Sequence, residues 1–376
     1  MPLQLAWRDL LHHRGRTAAT GAGVFFAILL IFMQLGFYVA CRESAVRVHR
    51  LLDYDLLLVS SRYIFIMQAD PFPEERVRQA AAVPGVAEAL RVRVAADLWR
   101  NPQTGNRHDA FVLGVDPDDH PSVLPGLNRQ ISALGRLGTA LFDLDAHPIL
   151  GANPAGTRSE MAGRQVEVVG SFRWGAGFAA HALVMVGRRT FASVFRGHPP
   201  DAVELGLLRL EPGASAPAVA AELHKRLPPD VRAFTREAIQ ASDRAFFLRD
   251  RPIGLMFTSG VVVAFLVGSM ILFQVLSSEV SRRLHELATL KALGFRPLQI
   301  YGVVVQKGLL YTLVAFLPAA GASALLYAGV RELARLPLHM TPTLLLAVLG
   351  VSLFMSLAGA LAASRRIRLA EPAELF

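Results

Sequence analysis

Formal charge vanishes from four long stretches of this chain, and each of them is almost wholly apolar. The first runs from Thr17 to Cys41, 25 residues between Arg16 and Arg42, with a centre reading Val24-Phe-Phe-Ala-Ile-Leu-Leu-Ile-Phe-Met33. The others are Pro252 to Ser278, Gly308 to Val330, and Leu336 to Ser364. A hydrocarbon core of about 30 Å needs roughly 20 apolar residues at 1.5 Å each, so every stretch spans a bilayer once and none spans it twice. Helices of soluble cores are shorter and keep a polar face. The pattern predicts transmembrane helices over 17–41, 252–278, 308–330 and 341–364, joined by segments 279–307 and 331–340, with both termini (1–16 and 365–376) on one side.

The first stretch follows Arg8, Arg14 and Arg16, as a secretory signal would, and ends at Val39-Ala40-Cys41. It is longer than the ~7–15 residues of a signal core, and Tyr38 stands where a lipoprotein cleavage box wants an aliphatic residue, so an uncleaved anchor is expected. Lys and Arg near the helix ends set the orientation. Three Arg lie in 1–16, five basic residues in 279–307 (Arg282, Arg283, Lys291, Arg296, Lys307) and three in the tail (Arg365, Arg366, Arg368), against two in 331–335. Arg42, Arg47, Arg249 and Arg251 oppose this bias from the large segment, but the balance favours a cytoplasmic N-terminus, 279–307 loop and tail.

Between the first two stretches, 42–251 has the pattern of a folded α+β domain. Strand-like runs are Asp55-Leu-Leu-Leu-Val-Ser60, Leu90 to Leu98, Ala110 to Val115, Gln165 to Phe172, Ala182 to Val186 and Leu205 to Leu210. Pro73-Glu74-Glu75 starts a helix that Val83-Pro-Gly-Val86 stops, and Ala216 to Leu227 is a second. Asn101-Pro-Gln-Thr-Gly-Asn106 reads as a hairpin connection. The stretch 116–160, rich in Pro, Gly, Asp and Asn, is expected to hold loops or an inserted subdomain. A helix from Arg236 to Arg251 is expected to continue as a stalk into the second membrane helix. The fold class is therefore a membrane protein of four transmembrane α-helices with a large α+β extracytoplasmic domain between helices 1 and 2.

Composition agrees: 53% hydrophobic and 18% charged is too apolar for a soluble chain of this length. The net charge of +9 comes mostly from the helix flanks, because 42–251 holds 26 basic and 24 acidic residues. Nothing in it suggests a nucleic-acid partner.

No motif supplies catalysis, a metal site or a cofactor. GxxxxGK[ST], GxSxG and HExxH are absent, and the single cysteine, Cys41, excludes intrachain disulfides and CxxC sites. Asp116-Pro-Asp-Asp-His-Pro121 lacks the Gly and distal Glu of a calcium loop and reads as a solvated turn. The first three apolar stretches contain no ionisable relay; Gln34 and Gln274 are neutral and suit helix-helix hydrogen bonds. Gly260, Gly268, Gly321, Ala322, Ser323, Gly350 and Gly359 suit close helix packing, and Pro318 a kink.

Within 279–307, Leu284, Leu287, Leu290 and Leu293 recur at helical spacing and Gly294 supplies a stop. By physics alone this amphipathic helix lies on the membrane or docks in a partner's groove. Its sequence Glu286-Leu-Ala-Thr-Leu-Lys-Ala-Leu-Gly-Phe295 resembles the signature of FtsX-like permeases of the MacB type of ABC transporter, and the resemblance is nearest to the DevC permeases. Phe32-Met-Gln-Leu-Gly-Phe37, Asp55–Ser60, Asn101-Pro-Gln-Thr104, Pro252-Ile-Gly254 and Glu371-Pro-Ala-Glu-Leu-Phe376 carry it along the chain. It implies a MacB-like periplasmic core over 42–251 and an FtsX-like domain at about 255–370, in an inner membrane.

The resemblance further implies a non-catalytic permease subunit working as a homodimer with a separate ABC ATPase, since MacB's fused nucleotide-binding domain is missing. Glu286, Leu287, Leu290, Lys291 and Gly294 would form the ATPase-coupling surface, and a periplasmic adaptor and an outer-membrane channel would complete an efflux path. The alternative within the same resemblance is a mechanotransmitter that regulates a periplasmic hydrolase or sensor without moving cargo.

Overall fold

The computed structural model describes residues 14–117, 127–178, 180–250, 252–282 and 297–369. In chain order these form α1 (Arg14–Ser44), α2 (Arg47–Leu51), β1 (Leu56–Ser60), β2 (Phe72–Pro73), α3 (Glu75–Ala81), β3 (Val86–Arg100) and β4 (Arg107–Val115). There follow β5 (Thr139–Asp143), β6 (Arg158–Met161), β7 (Arg164–Phe172), β8 (Leu183–Gly187), α4 (Arg188–Val194), β9 (Ala202–Val203) and β10 (Leu205–Leu210). The described chain ends with α5 (Ala216–Arg226), β11 (Val231–Thr235), α6 (Arg236–Ala245), α7 (Pro252–Arg282), α8 (Pro297–Ala334) and α9 (Pro342–Leu369). Two compact units result, one of the membrane helices and one of the domain between the first and second.

The domain is organised by one sheet, ordered β11-β1-β10-β3-β4-β8-β5-β7-β6. Each of its first four strands is antiparallel to its neighbour. With α3 after β1 and α5 after β10 they make a split βαβ layer of ferredoxin-like order. β1 is buried at all five positions because both its faces are covered. Leu56 and Leu58 pack with Val77 of α3 and Leu223 of α5, while Leu57 and Val59 join a second core with Leu207 and Ile239. That two-sided burial explains an apolar run that does not alternate.

The chain between β3 and β10 forms the remaining strands, which return on themselves. β3 pairs with β4, β4 with β8, β8 with β5, β5 with β7 and β7 with β6. β6 then meets β3 again at Trp99 and Met161, closing a six-stranded barrel. Trp99, Val112, Phe142, Met161, Val168 and Val184 share one buried cluster. Glu160 reinforces the closure by pairing with Arg100 at 3.2 Å and with Arg107 at 2.5 Å.

Each strand-like run and both helices of the domain read from the pattern are present, and 101–106 joins β3 to β4. Of the two expectations for 116–160, loops or an inserted subdomain, the strands fit the second: the stretch holds β5, fully buried without alternation, and most of β6, a short and mostly polar strand that closes the barrel. β11 was also not legible. The stalk is not one continuous α-helix, since α6 ends at Ala245 and Phe246–Asp250 is wound as a π-helix. Its physical cause is a distant side chain: Phe246 stacks on Phe65 at 4.8 Å and Phe247 meets the same ring edge-on at 5.4 Å, and the wider turn lets adjacent residues reach one ring. A Cβ on Gly254 would stand 2.1 Å from the Leu248 carbonyl oxygen, so the return to α geometry requires glycine there.

Among the described residues, four helices are long and apolar enough to cross a membrane: Gly21–Ser44, Ile253–Ser278, Tyr301–Ala334 and Pro342–Ser364. The third begins well before the charge-free stretch, because α8 starts at Pro297 and takes in Lys307. Proline suits a first helical turn, and a lysine's long stem tolerates a site near a membrane surface. Pro318 lies inside α8 without ending it.

The helix unit packs through small residues and a few polar contacts. A Cβ on Gly260 would meet Gln34 of α1 at 2.4 Å; one on Gly268 would meet Met355 at 2.2 Å and Ala27 at 2.8 Å. Gly359 packs against Leu272, whereas Gly321 and Gly350 face open space within the chain. Tyr327 donates its hydroxyl to the Phe32 carbonyl, and its ring occupies the space a side chain on Gly36 would need. Phe37 stacks on Phe257 at 5.5 Å. The segment Phe32–Phe37 thus owes its composition to helix packing.

Candidate functional site

Glu286, Leu287, Leu290, Lys291 and Gly294 lie outside the described residues, as do most of the Asp116–Pro121 cluster and the terminal Glu371–Phe376. Asp116 itself is buried and faces Arg188 at 3.6 Å and Arg91 at 3.9 Å, which makes it part of an ionic cluster rather than a free turn. Glu74 sits at the centre of that cluster, 2.6 Å from Arg91 and 3.2 Å from Arg93. Burial pushes the Glu74 carboxyl up, but the hydrogen bond and charge of Arg91, with the charges of Arg188 and Arg93, outweigh it and hold the group below its ordinary range. Glu204 completes the junction between layer and barrel, accepting from the Val94 amide at 2.9 Å and facing His198 at 2.6 Å.

The more telling constellation joins the two segments through which the domain continues into membrane helices. α2 follows α1 directly, and α6 precedes the π-helix that leads to α7. His49 of α2 and Asp243 of α6 are both fully buried, with Nε2 and Oδ2 at 2.8 Å. The other ring nitrogen, Nδ1, meets the Tyr54 hydroxyl at 2.5 Å. Asp243 also accepts from the Tyr63 hydroxyl, at 3.0 Å to each oxygen, and from the Ile66 amide at 3.1 Å. Burial, and then the neighbouring Asp243 carboxylate, push the Tyr63 phenol well above its usual value, so it stays a donor.

Arg236 braces the same place from the start of α6. Its guanidinium donates to the carbonyls of His49 (2.9 Å), Leu52 (3.1 Å) and Tyr54 (2.6 Å), and lies over the Tyr54 ring at 4.1 Å. Carbonyls at the end of a helix have no intrahelical donor, so one arginine satisfies what α2 leaves open. Tyr54, His49 and Asp243 are connected like a nucleophile, base and orienting acid, but Tyr54 is 1% exposed and presents no hydroxyl to a substrate. Their chemistry is that of a fastener.

Sequence reading passed over this brace because His49 and Asp243 are far apart in the chain. One local signal existed. Ile239, Asp243 and Phe247 share a helical face at four-residue spacing, which puts a carboxylate on an otherwise buried apolar stripe. Among the described residues no group of three His, Cys, Asp or Glu is arranged to hold a metal ion.

Residues 258–372, which take in most of α7 and all of α8 and α9, match the family of FtsX-like permease C-terminal domains. The chain carries an FtsX-like permease domain. No curated protein matches the chain. Among solved structures, the extracellular domain of the noncanonic ABC-type transporter YknZ from Gram-positive bacteria is 14% identical, covering 48% of this chain and 99% of its own, with a TM-score of 0.35. The periplasmic region of MacB from Actinobacillus actinomycetemcomitans is 9% identical, covering 52% and 94%, with a TM-score of 0.36. The permease resemblance drawn from Glu286–Phe295 is thus borne out in the helix unit. Four membrane helices, the family of the last three and the Lys/Arg bias at their ends describe a multi-pass membrane protein with a large extracytoplasmic domain.

Proposed function

We propose that this permease is the membrane subunit of an ATP-driven exporter of the MacB type, similar to DevC permeases, working as a homodimer with a separate ATPase. The family match over 258–372 carries the reading, because the connection between α7 and α8 holds the signature sequence Glu286–Phe295. Glu286, Leu287, Leu290, Lys291 and Gly294 form the ATPase-coupling surface, and ATP hydrolysis belongs to the partner. The domain lies in the periplasm of an inner membrane, and its movement drives cargo through a periplasmic adaptor and an outer-membrane channel. The brace of His49, Asp243 and Arg236 supports transmission, since displacement of either connecting segment is passed to the other without slack.

Co-purification of the permease with each soluble ATPase encoded near it tests the reading, using wild type, Glu286→Arg and Leu290→Asp in nanodiscs. Retention of one ATPase by wild type and its loss from both variants is expected. No retained ATPase, or equal retention by the variants, would remove the coupling role of 286–294 and with it the exporter reading.

A further inference from the structure

A short segment closes the end of the barrel from which the β3–β4 connection projects. Its centre is a 3₁₀ turn, Pro148–Leu150, whose Leu150 is fully buried in the cluster that holds Trp99, Val112 and Phe142. The flanks are tied to the rim. Asn153 accepts from the Trp99 indole at 3.2 Å, Asn101 donates to the Ile149 carbonyl at 2.8 Å, and Gln103 donates to the Ala152 carbonyl at 2.8 Å. Residues 147–153 are thus a plug seated in the barrel mouth.

His147 starts the plug, and it does so only as a neutral imidazole. Its Nδ1 accepts from the Ile149 amide at 3.2 Å, which caps the turn and requires a lone pair on that nitrogen. A proton there turns the acceptor into a donor facing a donor. Two more histidines stand beside it. The His181 ring lies edge to face with it, 5.4 Å between centroids, and the His147 amide donates to the His181 carbonyl at 2.8 Å. His181 Nδ1 is buried without a hydrogen-bond partner, so protonating it places a charged donor where no acceptor stands. His108 pairs with Trp99 across β3 and β4, and cross-strand partners share a face, so it flanks the barrel mouth too. Burial, and then the imidazoles of His181 and His108, hold His147 below its ordinary value of 6.5. Of the charged side chains on the adjoining elements, Arg100 and Arg107 pair with Glu160 and Asp145 with Arg173, while Asp109 of β4 is exposed.

We propose that residues 147–153 are an acid-released plug: protonation within the group of His147, His181 and His108 breaks the cap at Ile149, withdraws Leu150 and opens the barrel interior at Trp99 and Phe142 to water. Because the folded-state value of His147 is depressed, the plug is fully held above about pH 6.5 and loosens as pH falls through that lower value. An extracytoplasmic domain meets the pH outside the cytoplasm, and the plug responds to acidification there. The device needs no ATPase and no cargo, and it stands apart from the exporter reading.

Hydrogen exchange of the full chain in nanodiscs tests it, at about pH 7.5 and about pH 5, a range in which histidine titrates and Glu74 keeps its charge. With rates corrected for the intrinsic effect of pH, peptides covering 147–153 are expected to lose protection several-fold at the lower pH, while β1 and β10 keep theirs. His147→Asn retains an acceptor for the Ile149 amide but takes up no proton, so its plug is expected to stay protected at both values. His147→Ala lacks the acceptor and is expected to be loose at both. Equal protection of wild-type 147–153 at the two values overturns the proposal, whether or not the variants fold. A loss spread equally over β1 and β10 also overturns it, as does a loss in His147→Asn as large as in wild type, because the proton would then act elsewhere.

Discussion

Asp243 Oδ2 lies 2.8 Å from His49 Nε2, and neither side chain is exposed. A carboxylate buried this deeply is tolerable only because His49, Tyr63 and Ile66 all donate to it. Asp243→Ala would leave three donors open and cost the domain about 3–5 kcal/mol, the usual penalty for breaking a buried pair from one side. Hydrogen exchange of the full chain in nanodiscs is expected to show lost protection in α2 and α6 and little change in α5.

Arg236→Lys tests whether geometry or charge holds the end of α2. A lysine keeps the charge but cannot reach the three carbonyls in one plane or stack on Tyr54 as well. A loss of about 1–3 kcal/mol is expected. Stability within about 0.3 kcal/mol of wild type would mean that one hydrogen bond suffices.

Gly36→Ala should destabilise the helix unit through Tyr327, whose hydroxyl oxygen is 2.1 Å from the added Cβ. Tyr327→Leu alone removes the hydrogen bond to the Phe32 carbonyl. In the double variant the alanine has room, so the combined cost should fall below the sum of the two, by about 0.5–3 kcal/mol in thermal unfolding. Additive costs would show that the contact is not what makes Gly36 necessary.

The Glu74 cluster predicts an acid limit. Because the folded-state carboxyl is held below its ordinary value of 4.5, its pairing with Arg91 and Arg93 stabilises the fold fully above that pH. The contribution is lost progressively as pH falls below 4.5 through the depressed folded-state value. Glu74→Gln should flatten this part of the stability profile while lowering stability at neutral pH. An unchanged acid slope would assign the effect to other carboxylates.

Barrel closure should depend on its apolar contact more than on its ion pairs. Glu160 bridges arginines whose side chains are 51% and 55% exposed, so Glu160→Ala should cost no more than about 1 kcal/mol. Trp99→Ala, at a fully buried site, should cost about 3–5 kcal/mol. Denaturant unfolding followed by hydrogen exchange in β4 and β8 distinguishes the two.

Elements with strong local grammar were legible beforehand. The four spans announced themselves by the absence of charge, Pro73 and Pro84 framed α3, and Asn101–Asn106 marked a hairpin. What escaped reading was set by partners distant in the chain. Thr139–Asp143 looks like loop until β7 and β8 pair with its two edges and its faces enter two apolar clusters, Leu141 on one side and Ala140 and Phe142 on the other. The π turn at Phe246 arises from where Phe65 stands, and Asp243 on an apolar stripe is explained only by His49 and Tyr63. The residues proposed for ATPase coupling show the opposite case, a legible local motif that itself lies outside the described residues.

The insertion of the barrel inside the split βαβ layer also governs how this protein is made. Among the described residues β1 pairs only with β10 and β11, so Leu57 has no strand partner there until Leu207 and then Phe234 have been synthesised. At ~5–20 residues per second that wait is on the order of 10–40 s. During it a run of three leucines and a valine stands unpaired beside a freshly inserted anchor helix. The barrel, whose strands are all complete by Gly187, can mature in the interval while its host cannot. β1 is therefore the strand of this domain that waits longest for its partners, completed only when β10 and β11 follow the inserted barrel.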